Sequence, residues 1–180
     1  MLCKLSQMST PHLNLLSKFG ENCMMKLFPV WILFLWIAGS AKAEIFAQKF
    51  DKAAFYEVMA LGDVNAINNE LDVVKGREGY EGALLMRKAG LVKKPKDKLA
   101  FFKAGRIKLE TALLADNENI EFHFLRLAIE EHAPKIVRYR KDIGKDKELL
   151  IKNFKNLSQA VQHAILDYCK NSKVLHKEEF

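Results

Sequence analysis

Three residues in the middle of the chain have the types and the spacing for chemistry. His123, Arg126 and Glu130 stand three and four positions apart, the spacing at which helical side chains meet on one face. Arg126 and Glu130 can pair, with His123 one turn away. If apolar surface covers the flanks, such a strip is either a salt-bridged structural cluster or the lining of a pocket for an anionic or peptide ligand. Adding Glu131 and His132 invites a metal reading, which fails on spacing. A zinc-type H-E-x-x-H motif sets its histidines four apart on one face, whereas His123 and His132 lie nine apart on opposite sides of a helix. On that helix, His132 falls on the apolar face and reads as a core histidine. Glu130 and Glu131 are adjacent, so they point about 100° apart and do not face each other. No metal, cofactor or catalytic residue is expected.

Other reactive types have plainer readings. Ser158 and Ser172 lack the G-x-S-x-G context of a nucleophile elbow, and Ser158 suits a helix N-cap. Gly76, Gly79 and Gly82 do not have G-x-G-x-x-G spacing, and no strand precedes them; a flexible loop is expected there rather than a phosphate cradle. Of three cysteines, only Cys169 lies beyond the leader described below. It shares a helical face with Val161 and Ile165 and is expected as a buried thiol, with no intramolecular disulfide.

The elements that must position these residues are helices. In the stretch Leu99–Ala133, Phe102, Gly105, Leu109, Ala112 and Leu113 share one face of a first helix, with Pro95 in its first turn. Gly105 mid-helix costs roughly 1 kcal/mol against alanine, so a small residue there signals a helix passing close by. After the polar turn Asp116–Asn119, Phe122, Leu125, Ile129 and Ala133 form a second stripe, widened by Phe124, Leu127 and Ala128. A helix apolar over most of its circumference is covered on several sides and reads as the centre of the domain. Pro134 ends it.

Around this pair the pattern predicts a helix up to Leu61, stopped by Gly62, with Asp63 capping a short helix that ends near Gly76. A third helix is expected over Tyr80–Ala89, with Gly90 just past its end and Leu91 folding back onto Met86. Beyond Pro134 come an amphipathic segment, Ile136–Ile143, interrupted at Gly144, then helices over Asp146–Phe154 and from Ser158 to Lys170. The tail carries Val174 and Leu175. No run of strict alternation reads as a strand. The expectation is an all-α array of about seven to eight short helices.

The run Gly105, Leu109, Ala112 and Asn117 resembles the second helix of a tetratricopeptide repeat, with Asn117 where that family often carries proline. Arg126 and Leu127 fall near positions where the family expects small residues, and no second copy follows at a period of about 34 residues. The resemblance implies TPR-like stacked helical hairpins. The whole chain also resembles the small, uncharacterised secreted helical proteins of Gram-negative bacteria, which implies export and brings no activity with it.

The N-terminus reads as an address. Lys26 precedes the apolar run Leu27–Ala38, followed by Gly39, Ser40 and Ala41-Lys42-Ala43. That is a charged start, an apolar core and a small-x-small cleavage site. The run holds twelve residues and a proline, too short for a bilayer span, which takes about 20. Residues 25–43 are expected as a signal peptide cut between Ala43 and Glu44. Residues 1–24 are expected as a non-translated or disordered extension, and 44–180 as one helical domain in the periplasm or outside the cell. Membrane contact is expected only through the signal segment before cleavage.

The net charge of +7 includes four leader lysines against one glutamate, so the remaining excess is moderate. Its basic clusters, Lys93–Lys96 and Arg138–Lys141, suit helix ends and loops, and nucleic-acid binding is not expected. The expected role is non-enzymatic binding of an unknown protein or peptide partner in a groove between helices. The alternative is a small periplasmic ligand-binding protein or enzyme using His123, Arg126 and Glu130; weaker still is a membrane-surface accessory.

Overall fold

The computed structural model describes residues 50–180. The 1–24 extension, the signal segment and the Ala43/Glu44 cleavage point lie outside the described residues. Among those described there are seven α-helices and no strand, so the fold is all-α. Local chemistry sets the first two helices. Asp51 accepts from the Ala53 N–H to cap α1 (Lys52–Leu61), and Asp63 accepts from the Ala66 N–H to cap α2 (Val64–Val73). Between them Gly62 turns left-handed at φ 68°, and its N–H returns to the Val58 carbonyl. Phe50 precedes α1 and packs its ring on Tyr80, 4.5 Å between centroids.

The next two helices, α3 (Glu78–Leu91) and α4 (Pro95–Ala115), form the most extensive helix pair of the fold. A three-residue connection makes them an antiparallel hairpin. They touch backbone to backbone. A Cβ on Gly82 would lie 2.6 Å from the Leu109 nitrogen, and one on Gly105 would lie 2.5 Å from the Gly82 carbonyl oxygen. The close approach read from Gly105 is therefore real, and its partner is Gly82. This corrects two expectations. Gly79 is not a loop residue but a buried position inside α3, lying against the Phe122 ring, and Gly82, which falls both in the expected loop and in the expected Tyr80–Ala89 helix, is helical and buried. Gly90 does not stop the helix, which runs on to Leu91.

Helix α5 (Ile120–His132) is the centre. Asn119 caps it by accepting from the Phe122 N–H. It contributes to all three apolar clusters: Leu125 to the one under α1–α3, Phe124 and Leu127 to the one under α6 (Ile143–Asn153) and α7 (Gln159–Cys169), and Phe122 and Ile129 against the one holding Met86, Leu109 and Tyr139. Its contact with α4 is slighter than its contact with α6, so the hairpin expected over Leu99–Ala133 is not the tight one. After Pro134 the chain makes a 3-10 turn, Lys135–Val137, and an irregular passage in place of the expected amphipathic segment; Gly144 lies within α6 and interrupts nothing. Ser158 stands at the N-cap of α7 without a side-chain capping bond, and Cys169 is a half-buried free thiol. The tail docks: Leu175 is fully buried beside Leu150 and Ile165, and the Phe180 ring packs tilted on Phe154, 4.7 Å between centroids.

Candidate functional site

His123, Arg126 and Glu130 are brought together on α5 and are all buried, Glu130 completely. The partner of His123 and Arg126 is Asp146, one turn into α6 and fully buried. Arg126 grips it with two hydrogen bonds, Nε to Oδ2 at 2.8 Å and Nη2 to Oδ1 at 2.7 Å. His123 adds Nδ1 at 2.7 Å from Oδ1, while its Nε2 lies 2.9 Å from the Asn117 carbonyl oxygen. The remaining face of Arg126 meets Glu110 at 3.3 Å, and Tyr139 donates to the other Glu110 oxygen at 2.6 Å. Burial pushes the Asp146 carboxyl up, but the bonds from Arg126 and His123 outweigh it and hold the group below its ordinary value. A buried acid gripped this way needs its cation, and Arg126 is spent on it.

Glu130 is arranged differently. The pairing with Arg126 expected from their spacing is replaced: Glu130 Oε2 accepts from the Asp142 backbone N–H at 3.1 Å, and Oε1 has no partner. Asp142 Oδ2, 3.7 Å from Arg126, is likewise buried without a hydrogen-bond donor. Burial raises the Glu130 carboxyl above its ordinary value; the Asp142 N–H offsets part of that, and the Asp142 charge adds to it.

Sequence reasoning missed Asp146, Glu110, Asp142 and Tyr139. One signal was present: Asp146 lies four residues before Leu150, an acid on the apolar stripe of α6. Two further acids of α5 work as ties. Glu121 pairs with Lys52 and accepts from the Tyr56 hydroxyl, fixing α1. Glu131 accepts from the Tyr168 and Ser172 hydroxyls and the Lys173 N–H, fixing the tail. His132, expected on the apolar face, is exposed.

The open feature of the surface lies elsewhere. A groove of about 1170 Å³ runs over α5, floored by Phe124, Leu125, Ala128 and Ile129 and lined by none of the strip residues. Ala53, Tyr56 and Ala60 of α1 and Ala160 and Ala164 of α7 make one wall; the end of α3, with Ala89 and Gly90, and the start of α4, with Leu99 and Phe102, make the other. The lining is mostly apolar. Its charged residues are Glu57 of α1, Asp167 of α7, Lys98 of α4 and Arg87 of α3, and Arg87 is already engaged, its Nε donating to the Met59 carbonyl of α1 at 2.8 Å. The volume exceeds the roughly 300–1,000 Å³ of ordinary small-molecule pockets. No protein-family model, no curated protein and no solved structure matches this chain.

Proposed function

We propose that this protein is a non-enzymatic binding module whose groove takes one amphipathic helix of a peptide or protein partner. The observation that carries the reading is the groove itself: apolar, larger than a small-molecule pocket, and lined with alanine and glycine where a helix about 10 Å across would need the walls to stand back. These charges favour a partner with a basic flank toward Glu57 and Asp167 and an acidic flank toward Lys98. Asp167 pairs with Lys170, but both are exposed and that pair exchanges at little cost. The buried strip of His123, Arg126 and Glu130 offers no comparable opening, since its donors and acceptors are mostly turned on one another. We further propose that the module works after export, and N-terminal sequencing of exported protein is then expected to begin Glu44-Ile45-Phe46.

Binding is tested with a leucine-faced helical peptide carrying lysines on one flank and glutamates on the other, and with the same peptide flank-exchanged. Fluorescence anisotropy is expected to show the complementary arrangement binding roughly tenfold more tightly. Ala60→Trp, at an exposed lining position, is expected to abolish binding with an unchanged melting curve. Equal affinity for both peptides, or binding that survives the tryptophan, refutes the groove as the site.

A further inference from the structure

The outer face of α4 carries a second apolar feature, separate from the groove. Ala100, Ala104, Ile107, Thr111 and Leu114 are all exposed, Ile107 by 68% and Leu114 by 85%. Their spacing is four, three, four, three, the alternation of a coiled-coil seam. The opposite face, with Gly105, Leu109 and Leu113, is buried against the rest of the fold. The longest helix among the described residues therefore shows core packing on one side and a heptad stripe on the other. Surface leucines and isoleucines scattered singly need no explanation, but a stripe in register does.

We propose that this seam is a self-association surface, pairing α4 with α4 of a second copy in antiparallel fashion about a two-fold axis near Ile107. Two properties of the helix select that occupant and that direction. The seam is graded in size, alanines at its N-terminal end and leucine at its C-terminal end, with Ile107 midway. Antiparallel pairing sets Ala100 opposite Leu114 and Ala104 opposite Thr111, large against small, whereas parallel pairing sets large against large and leaves the alanine end slack. The charges are graded in the same sense. Lys94, Lys96 and Lys103 lie around the N-terminal half, with Asp97 the acid among them; Asp116 and Glu118 follow the C-terminal end. An antiparallel pair puts each basic end beside the other copy's acidic end, and the helix dipoles align favourably too. The cations nearest the axis are already engaged, Lys108 on Glu81 and Arg106 over the Tyr139 ring. The seam is about 21 Å long, so the interface belongs to the small, reversible class.

Sedimentation equilibrium of the full chain from micromolar to near-millimolar concentration is the test. A monomer–dimer equilibrium that weakens with added salt is expected. Ile107→Lys, a substitution at an exposed position, is expected to raise the dimer dissociation constant roughly tenfold or more with circular dichroism and melting unchanged. Direction is read by cross-linking with a short bis-maleimide in a chain whose own cysteines are serines. Ala100→Cys and Leu114→Cys chains are expected to link when mixed and not when alone. A chain that stays monomeric, a dimer indifferent to Ile107→Lys, or links that form within each variant alone would each overturn the proposal.

Discussion

The acids of α5 and α6 differ in what burial does to them, and the difference is measurable by pH. Asp146 is gripped by a cation, so its contribution to stability is present above an unfolded value of about 3.9 and is lost as pH falls through its depressed native value. Glu130 runs the other way. Its carboxyl is raised by burial, so its contribution is intact below an unfolded value of about 4.3 and is lost as pH climbs through the raised native value. Glu130→Gln removes that loss and supplies an amide donor beside Asp142, whose Oδ2 has none. Relative to the parent, the variant is expected to gain stability as pH rises from about 4 upward, by the worth of one buried hydrogen bond, on the order of 1 kcal/mol. Urea unfolding across that range checks it; a difference that is flat with pH, or that grows toward acid, contradicts the assignment.

At the scale of elements, glycine shows how far a local pattern reaches. Gly62, Asp63, Pro95 and Pro134 act through their own backbone geometry or nearest neighbours, and their roles could be read directly from the chain. Gly79 could not, because its low helix propensity marks it as a loop residue, and neither could the close approach at Gly82, which only the facing helix α4 explains. The same blindness hid Asp146: the spacing of Arg126 and Glu130 on α5 is visible in sequence, but the acid that captures Arg126 sits twenty residues away on α6. Three glycines of one hairpin, α3–α4, should therefore respond to alanine with opposite signs. Gly82→Ala and Gly105→Ala push a Cβ into backbone of the facing helix and are expected to cost about 1–3 kcal/mol net of the propensity gain. Gly90→Ala meets no atom within 4 Å and is expected to stabilise by up to about 1 kcal/mol. Thermal melts of the three variants decide; a neutral Gly82→Ala would mean the two helices are not in backbone contact.

Over the described residues as a whole, α5 joins three apolar clusters while its acids tie down the first helix, through Glu121, and the C-terminal tail, through Glu131. The tail belongs to this scheme structurally. Ser172 donates its hydroxyl proton to Glu131 and accepts from the Val174 and Leu175 N–H groups, a local turn that aims Leu175 into the core. Periodicity could not foretell this, since a short extended segment has no period to read. The arrangement makes Leu175 part of the same cooperative unit as Leu150 and Ile165. Leu175→Ala is expected to lower global stability by about 2–5 kcal/mol, as for a core leucine and not a fraying terminus. Glu131→Gln is expected to act locally first, speeding hydrogen exchange at the Lys173 amide while the amides of Phe124–Ala128 keep the slow exchange of the core. If Leu175→Ala proves nearly neutral, or if the Lys173 amide exchanges freely in the parent protein, the tail is an appendage and the core closes without it.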